Sequence, residues 1–318
     1  MNPDRPIRIG VSSCLLGEMV RFDGGHKRDN FLVTVFGSYV EWVPVCPEVE
    51  IGLGVPRETI RLERKAGLVH LVAPKSQTDH TKTMQRWARS RLKDLAQENL
   101  SGYVLKSKSP SCGMERVPVY DENGVSEKKG RGLFAEELLA RFGSLPVEEE
   151  GRLNDPVLRE NFIERVFAYH RLRGVFEGRW RSRQAVEFHT AHKLLLMAHS
   201  PKHYRALGRL VAGVKAVPAK EFRDQYEQAF MEAMRLHATV GKHVNVIEHM
   251  LGYLSESLDA DARKELIEVI ADYRQRLVPL VVPLTLLRHH VRKHKIAYLE
   301  GQLYLEPHPK ELMLRNHV

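Results

Sequence analysis

The sequence predicts two domains, an α/β domain over residues 1–150 and an all-α domain over residues 151–318. In the first half, short apolar runs alternate with helical patterns, which is typical of a layered fold with a mainly parallel, Rossmann-like sheet. In the second half, helical periodicity recurs from one segment to the next. The charge divides at the same place: residues 1–150 carry 22 Lys+Arg and 21 Asp+Glu (net +1), whereas residues 151–318 carry 27 and 19 (net +8).

Four apolar runs in the first half predict strands, and the third of them is either a strand or one arm of a hairpin. They cover residues 7–14, 42–48, 65–74 and 102–106. Two segments with helical periodicity lie among these runs, at residues 78–100 and 132–143. Thr78 or Asp79 can cap the first of these helices, and glycines bound the second.

A polar segment containing Gly, Asn and Pro, residues 148–156, is predicted to link the two domains. Asn154 or Asp155 would cap a helix that begins at Pro156. Six helices follow, and the short loops between them favour antiparallel neighbours. They are predicted at residues 157–176, 184–197, 202–211, 219–237, 242–258 and 260–276. Strand signals return only in the I-A-Y-L and L-Y-L fragments near the C-terminus.

Composition limits the compartment and the partners. No window approaches the ~18 apolar residues that a membrane helix needs, and Pro279 and Pro283 interrupt the longest apolar stretch. The N-terminal residues lack the apolar core of a secretory signal. Three cysteines cannot all pair as disulfides within one chain, so reduced thiols are expected. We therefore expect a cytoplasmic protein without a membrane partner.

The three cysteines each follow a predicted strand. Cys14 and Cys46 end the first two strands, and Cys112 lies in the K-S-P-S-C-G turn after the strand at residues 102–106. Loops at the carboxyl ends of parallel strands lie side by side, so the thiols are expected to converge. Thiolates favour zinc, copper(I) and iron–sulfur clusters, and three ligands leave one coordination position open. The alternative is that these residues are small buried hydrophobes.

Four motifs in chain order carry a family resemblance: V-S-S-C-L-L-G, R-F-D-G-G-H-K, P-V-C-P-E and K-S-K-S-P-S-C-G. Together they resemble the thiouracil desulfidase family over roughly residues 5–150, and the second half resembles the helical companion domain of longer members. The resemblance implies a four-iron–four-sulfur cluster held by Cys14, Cys46 and Cys112, with the fourth iron free to take the substrate sulfur. The implied reaction converts 4-thiouracil, a thiolated pyrimidine, and water to uracil and hydrogen sulfide without redox chemistry.

Two further residues are candidates for catalysis, and the resemblance implies an active-site role for both. Glu48 lies two residues after Cys46, and in an extended segment the two side chains would share a face. A carboxylate there could act as general acid or base, or could simply be solvent-exposed or cap a helix. The hydroxyl of Ser109 could bond the pyrimidine or a water molecule. Alternatively, Ser109 is a turn serine that bonds its own backbone.

A basic turn and two flanking lysines are weaker candidates for substrate binding. In R-F-D-G-G-H-K-R, two glycines could let backbone amides approach a ligand while basic side chains meet an anion. The Ser-Pro-Ser-Cys turn also has lysines beside it. These candidates are Asp23, Gly24, Gly25, His26, Lys27, Lys106 and Lys108.

The basic helical domain suggests a polyanion partner, either a nucleotide or RNA. It holds 13 of the 16 histidines, but E-F-H-T-A-H lacks the spacing of H-E-x-x-H. The stretch R-H-H-V-R-K-H-K could contact RNA phosphate, or it could be a solvated surface. Two functions of other classes remain open: a nucleic-acid-binding protein whose cysteines hold a structural zinc, and a thiol redox protein.

Overall fold

A computed structural model describes residues 6–317 of the chain. The chain forms two compact units, Met1–Asp155 and Pro156–Val318. Within the described residues, the first unit contains nine strands and three α-helices. The strands are β1 (Arg8–Ser12), β2 (Glu41–Val45), β3 (Arg61–Lys65), β4 (Leu68–Ala73), β5 (Thr78–Asp79), β6 (Gly102–Leu105), β7 (Val117–Tyr120), β8 (Ser126–Gly130) and β9 (Val147–Glu149). The helices are α1 (Pro47–Glu50), α2 (Thr81–Gln97) and α3 (Leu133–Arg141).

A four-stranded sheet with the order β2-β1-β6-β9 forms the centre of this unit, and all of its pairs are parallel. Strand β1 is buried apart from its first residue, as expected for a parallel sheet covered on both faces. Gly10 is required at its position, because a Cβ there would overlap the ring of Tyr103 on the neighbouring strand. The prediction of a mainly parallel α/β fold is confirmed.

Two elements of this sheet layer differ from their predicted bounds. Strand β2 ends at Val45 rather than at residue 48, because Pro47 begins the one-turn helix α1 immediately after Cys46. Proline is favoured in the first turn of a helix, where its missing N–H is not needed. Helix α2 begins at Thr81, three residues later than predicted. The N-cap residue is His80, so the prediction that Thr78 or Asp79 caps the helix was wrong, although Asp79 accepts the Thr81 N–H at 2.8 Å.

A second sheet, with the order β5-β4-β3-β7-β8, was predicted only in part. The hairpin of β3 and β4 matches the expected hairpin arm, and β3 pairs with β7 in parallel. Strand β8, with the sequence S-E-K-K-G, was missed. It is an exposed edge strand and therefore lacks the apolar alternation from which strands are predicted.

The second unit is all-α within the described residues, as predicted. Its helices are α4 (Pro156–Phe176), α5 (Ser182–His199), α6 (Pro201–Ala212), α7 (Ala219–Arg235), α8 (Val240–Leu254), α9 (Ala260–Arg274), α10 (Val281–Lys293) and α11 (Ala297–Glu300). Helix α4 is buried over most of its surface and carries the buried charges Glu160, Glu164 and Arg165. No helix among residues 6–317 is long and apolar enough to cross a membrane.

The C-terminal part of this unit corrects two expectations. Helix α10 was not predicted, because Pro279 and Pro283 argue against a helix there. Pro283 lies in the first turn, where the missing N–H costs no intrahelical hydrogen bond. The prediction of a strand at I-A-Y-L was wrong, since most of this fragment belongs to the short helix α11. Residues 303–305, the L-Y-L fragment, likewise form a turn.

Candidate active site

The three cysteines lie beyond the carboxyl ends of three adjacent parallel strands. Cys14 is in a 3-10 turn after β1, Cys46 precedes α1 directly after β2, and Cys112 is in the loop that follows β6. All three line one cavity of about 340 Å³. Because these strands run in the same direction side by side, their ends bring together residues that are distant in sequence.

Burial determines the chemistry of the thiols. It raises the pKa of Cys14 to about 11, while the nearby charges of Lys106 and Arg21 act in the opposite direction. Burial likewise raises the pKa of Cys46 and, most strongly, of Cys112. The thiols are therefore protonated at neutral pH in the metal-free chain, and a bound metal would displace these protons.

The donor set fits a group that contains soft metals. The three cysteines line one cavity, Cys46 raises the pKa of Cys14, and both of them raise the pKa of Cys112, so the three are electrostatic neighbours. Lys106 and Arg21 supply positive charge beside them, which suits anionic thiolates. Among residues 6–317, no three His, Cys, Asp or Glu side chains surround the position of a single metal ion.

The Ser-Pro-Ser-Cys-Gly loop is held by its own hydrogen bonds. The Ser109 hydroxyl oxygen accepts the N–H groups of Ser111 and Cys112 at 3.2 and 3.1 Å. Ser109 therefore bonds the backbone of its own turn, which was the alternative to an active-site role. Ser109 also lines the cavity. Gly113 follows and donates its N–H to the Ser109 carbonyl at 2.8 Å. A Cβ at Gly113 would overlap Val117, so the loop can close only with glycine there.

Glu48 lines the same cavity, and both of its carboxylate oxygens are held. Arg57 donates to Oε2 from Nη2 at 2.6 Å and from Nε at 3.1 Å, and the Ser111 hydroxyl donates to Oε1 at 3.0 Å. The prediction that Glu48 and Cys46 share one face of an extended segment was wrong, because Glu48 lies on helix α1. The helical turn nevertheless places its carboxylate in the cavity of Cys46.

The two lysines beside the Ser-Pro-Ser-Cys turn also line the cavity. The Lys106 ammonium is paired with Glu150 and donates to the Ser107 hydroxyl at 3.0 Å. The Lys106 backbone N–H donates to the Ser12 hydroxyl at 2.9 Å, which ties the end of β6 to the end of β1. Lys108 is exposed and has a positive φ of 60°.

Of the R-F-D-G-G-H-K turn, the structure brings Lys27 to the cavity but not Asp23, Gly24, Gly25 or His26. Asp23 accepts the Gly25 N–H at 3.1 Å, which lowers the pKa of its carboxyl. The backbone N–H of Lys27 donates to the Cys14 carbonyl at 2.9 Å. The turn thus supports the loop of Cys14, and Arg21, Phe22 and Lys27 are its residues that line the cavity.

Sequence reasoning missed several residues that line the cavity. Arg57 lies in the irregular segment between α1 and β3, where no pattern indicates a function. Ser111 does not line the cavity, but its hydroxyl holds Glu48, and it could have been found because it stands beside Cys112 in the motif that carries the resemblance. Apolar side chains complete the wall, namely Val20, Phe22, Val45, Pro47 and Ile60.

Three thiols gathered beyond the strand ends of an open α/β sheet are a donor set of the kind that soft metals prefer. A family model described as 2-thiouracil desulfurase matches residues 9–150, and a model of a family of unknown function, DUF1722, matches residues 193–309. The chain belongs to the 2-thiouracil desulfurase family and carries a C-terminal DUF1722 domain, which confirms the resemblance carried by the four motifs.

Two curated proteins are similar to parts of the chain. Uncharacterized protein YbgA of Escherichia coli K12 is 31% identical over 158 residues, which cover 49% of this chain and 94% of YbgA. Uncharacterized protein YbbK of Bacillus subtilis 168 is 30% identical over 153 residues, which cover 46% of this chain and 98% of YbbK. A solved structure, the [4Fe-4S]-dependent thiouracil desulfidase TudS, is 34% identical with a TM-score of 0.38 and covers 47% of this chain and 94% of its own.

Proposed function

We propose that the first unit removes sulfur from a thiolated uracil by hydrolysis, converting 4-thiouracil and water to uracil and hydrogen sulfide. The observation that carries this proposal is that three thiols and the Glu48 carboxylate line one cavity. Membership in the 2-thiouracil desulfurase family supports the substrate class.

The proposal includes a four-iron–four-sulfur cluster with Cys14, Cys46 and Cys112 as its protein ligands. When bound, this group supplies an iron without a protein ligand, a Lewis acid that polarises the C=S bond and accepts the sulfur. Lys106 and Arg21 stabilise the thiolate form of Cys14. Because thiolate ligands must stay reduced, the proposal also includes a reducing compartment such as the cytoplasm.

Glu48 is the proposed general base for the water that attacks the carbon of the C=S group. A carboxylate offers about four lone-pair positions, and three of them are taken by the two Arg57 bonds and the Ser111 bond. One position on Oε1 therefore remains for a water proton. The bonds hold the carboxylate in one orientation, which is what proton transfer from a positioned water requires.

The remaining wall of the cavity suits a flat heterocycle with a polar edge. Phe22, Val20 and Ile60 provide apolar contact on one part of the wall. The Ser109 hydroxyl uses its oxygen to accept two backbone N–H groups, so its hydrogen is available to the pyrimidine. We propose Ser109 as a substrate-orienting residue that also shapes the loop of Cys112.

The second unit, with its net charge of +8 over residues 151–318, is proposed to contact the anionic part of a larger substrate, either a thiolated nucleotide or RNA. Within the first unit, Lys27, Lys106 and Lys108 are proposed to attract an anionic group of a substrate in that unit's own cavity. Such contacts weaken as salt concentration rises, because counterions are released from the phosphates.

The proposal is tested by anaerobic purification followed by iron and acid-labile sulfide analysis, with Cys14→Ala, Cys46→Ala and Cys112→Ala in parallel. We expect four irons and four sulfides per chain in the unmodified protein and a large loss in each variant. The loaded protein is then assayed with 4-thiouracil, with uracil and hydrogen sulfide measured as products in equal amounts.

Other outcomes identify the alternative functions. About one zinc per chain without sulfide, after anaerobic reconstitution, would indicate a structural site and contradict the desulfidase proposal. Activity that survives the removal of iron and depends on only two of the three cysteines would indicate thiol redox chemistry. A complete cluster with no release of sulfide from 4-thiouracil, 4-thiouridine or 4-thiouridine monophosphate would contradict the proposed reaction while retaining the cofactor.

A further inference from the structure

The helical unit contains its own cavity of about 300 Å³. This helical cavity lies among helices α4, α8 and α9 and the segments that follow α7 and α9. No residue of this cavity takes part in the proposed desulfidase reaction. Its volume lies at the lower end of the range for small-molecule sites, large enough for one heterocycle with a sugar.

A network of buried charges forms one wall of the helical cavity. Arg315 donates to Glu160 at 3.2 Å and to Glu164 at 2.6 Å. His199 lies between the Leu236 carbonyl at 2.6 Å and Glu164 at 3.1 Å. His317 lies 2.7 Å from Glu160 on the same wall. Both carboxylates of this wall are therefore paired with neighbouring side chains.

Three side chains that line the helical cavity are more than nine-tenths buried and keep one polar atom without a partner among residues 6–317. Asn161, 7% exposed, donates from Nδ2 to the Met234 carbonyl at 3.0 Å and leaves Oδ1 unbonded. His243, 7% exposed, uses only Nδ1, which lies 2.9 Å from the Tyr304 hydroxyl. The Tyr273 hydroxyl, on a residue 5% exposed, has no hydrogen bond. None of these three atoms is sealed from the cavity, so each is free to bond a ligand bound there.

Two of these atoms can be assigned as a hydrogen-bond donor or acceptor. Burial lowers the pKa of His243 to about 3, so its ring is neutral at pH 7. Tyr304 has no other acceptor for its hydroxyl hydrogen among the described residues, so it donates to Nδ1 of His243. Nε2 of His243 then carries the hydrogen and is a donor, while Oδ1 of Asn161 is an acceptor. A lactam edge, with adjacent C=O and N–H groups, matches this pair.

The rim of the helical cavity is cationic. Arg276 lines it with an exposed guanidinium. Its charge acts on the Tyr273 hydroxyl, opposing the burial that raises the pKa of that phenol. An anionic group bound beside Arg276 would thus stay at the solvent boundary, away from the carboxylates of Glu160 and Glu164.

We propose that the helical cavity is a nucleotide site, in which Asn161, His243 and Tyr273 bind the lactam edge of a base and Arg276 binds the phosphate. The lactam edge of uracil and the size of the cavity make uridine monophosphate (UMP) the appropriate probe. The site is separate from the thiol-lined cavity, because all of its residues belong to the second unit.

The test is calorimetric titration of the full-length protein with UMP, repeated with UMP methylated at N3. We expect one UMP site that persists in Cys112→Ala, and weaker binding of the methylated analogue, which has lost its lactam N–H. Tyr273→Phe should weaken UMP binding about fivefold, the effect of one hydrogen bond. Arg276→Ala should weaken UMP about fivefold as well, yet leave uridine binding unchanged.

Arg274→Ala is the matched control, because Arg274 carries the same charge two residues away and does not line the helical cavity. Circular dichroism establishes that each variant is folded. The proposal is overturned if UMP does not bind at millimolar concentration, or if binding disappears in Cys112→Ala. It is equally overturned if Arg274→Ala weakens UMP as much as Arg276→Ala does, or if N3 methylation has no effect.

Discussion

The guanidinium of Arg57 donates two hydrogen bonds to one carboxylate oxygen of Glu48, at 2.6 and 3.1 Å. The Arg57 side chain is only 5% exposed, and that of Glu48 is 16% exposed. A charged pair this protected from water is costly to break, because the partner that remains stays buried without compensation. The pair joins helix α1 to the segment before β3 and fixes a carboxylate in the thiol-lined cavity.

Replacement of Arg57 by Ala should therefore reduce both stability and turnover. We expect a loss of about 3 kcal/mol in the free energy of unfolding and about a hundredfold loss of sulfide release, because the carboxylate loses its orientation. Urea unfolding and steady-state kinetics measure the two effects. Arg116→Ala, which removes an exposed guanidinium of the same unit, is the control. Equal turnover in the two variants would show that Glu48 needs no positioning by Arg57.

Glu48→Gln should separate proton transfer from cofactor binding. We expect turnover of 4-thiouracil to fall by about 10²- to 10⁴-fold, the usual contribution of a general base. Iron and sulfide content should not change, because Glu48 is not a proposed ligand. Glu18→Gln, at an exposed position outside the cavity, should keep full activity. A Glu48→Gln protein with nearly normal turnover would remove the proposed base from the mechanism.

Gly113→Ala should displace the loop that presents Cys112. The added Cβ would overlap Val117 and lie 2.8 Å from the Ser109 carbonyl oxygen. We expect a loss of about 1–3 kcal/mol of stability, as for other overpacked sites, together with reduced iron content. Gly143→Ala is the matched control, since a Cβ there meets no atom within 4 Å. If both variants bind iron equally well, the close approach at Gly113 is not needed for the site.

Buried histidines of the helical unit should make its stability depend on pH on the acid side. Burial lowers the pKa of His189 to about 4, below its ordinary value of 6.5. The unfolded chain binds this proton more readily than the folded chain, so the contribution of neutral His189 is present above pH 6.5. It is lost as pH falls from 6.5 to about 4, by about 3 kcal/mol in total.

His189→Leu should consequently flatten the fall of the urea midpoint between pH 6.5 and 4. The exposed His249→Leu is the matched control and should leave the pH dependence as it is in the unmodified protein. Equal slopes in His189→Leu and the unmodified protein would show that another group causes the acid sensitivity.

Local patterns predicted the α/β and all-α halves, three of the four strands of the parallel sheet, and a cysteine after each of those three strands. Strand β9, the fourth, was instead assigned in part to the linker. The predicted features depend on local periodicity and on turn residues, which short segments carry without their neighbours. The edge strand β8 and helix α10 escaped prediction because solvent exposure and two prolines removed the local signal.

Which charged groups meet depends on how the chain packs. Arg57 donates two hydrogen bonds to one oxygen of Glu48 across irregular backbone, and Arg315 reaches Glu164 across 151 residues of chain. The unbonded atoms of Asn161, His243 and Tyr273 share one cavity for the same reason. Such contacts depend on how distant segments pack, and no local pattern of residues specifies a partner that lies far along the chain.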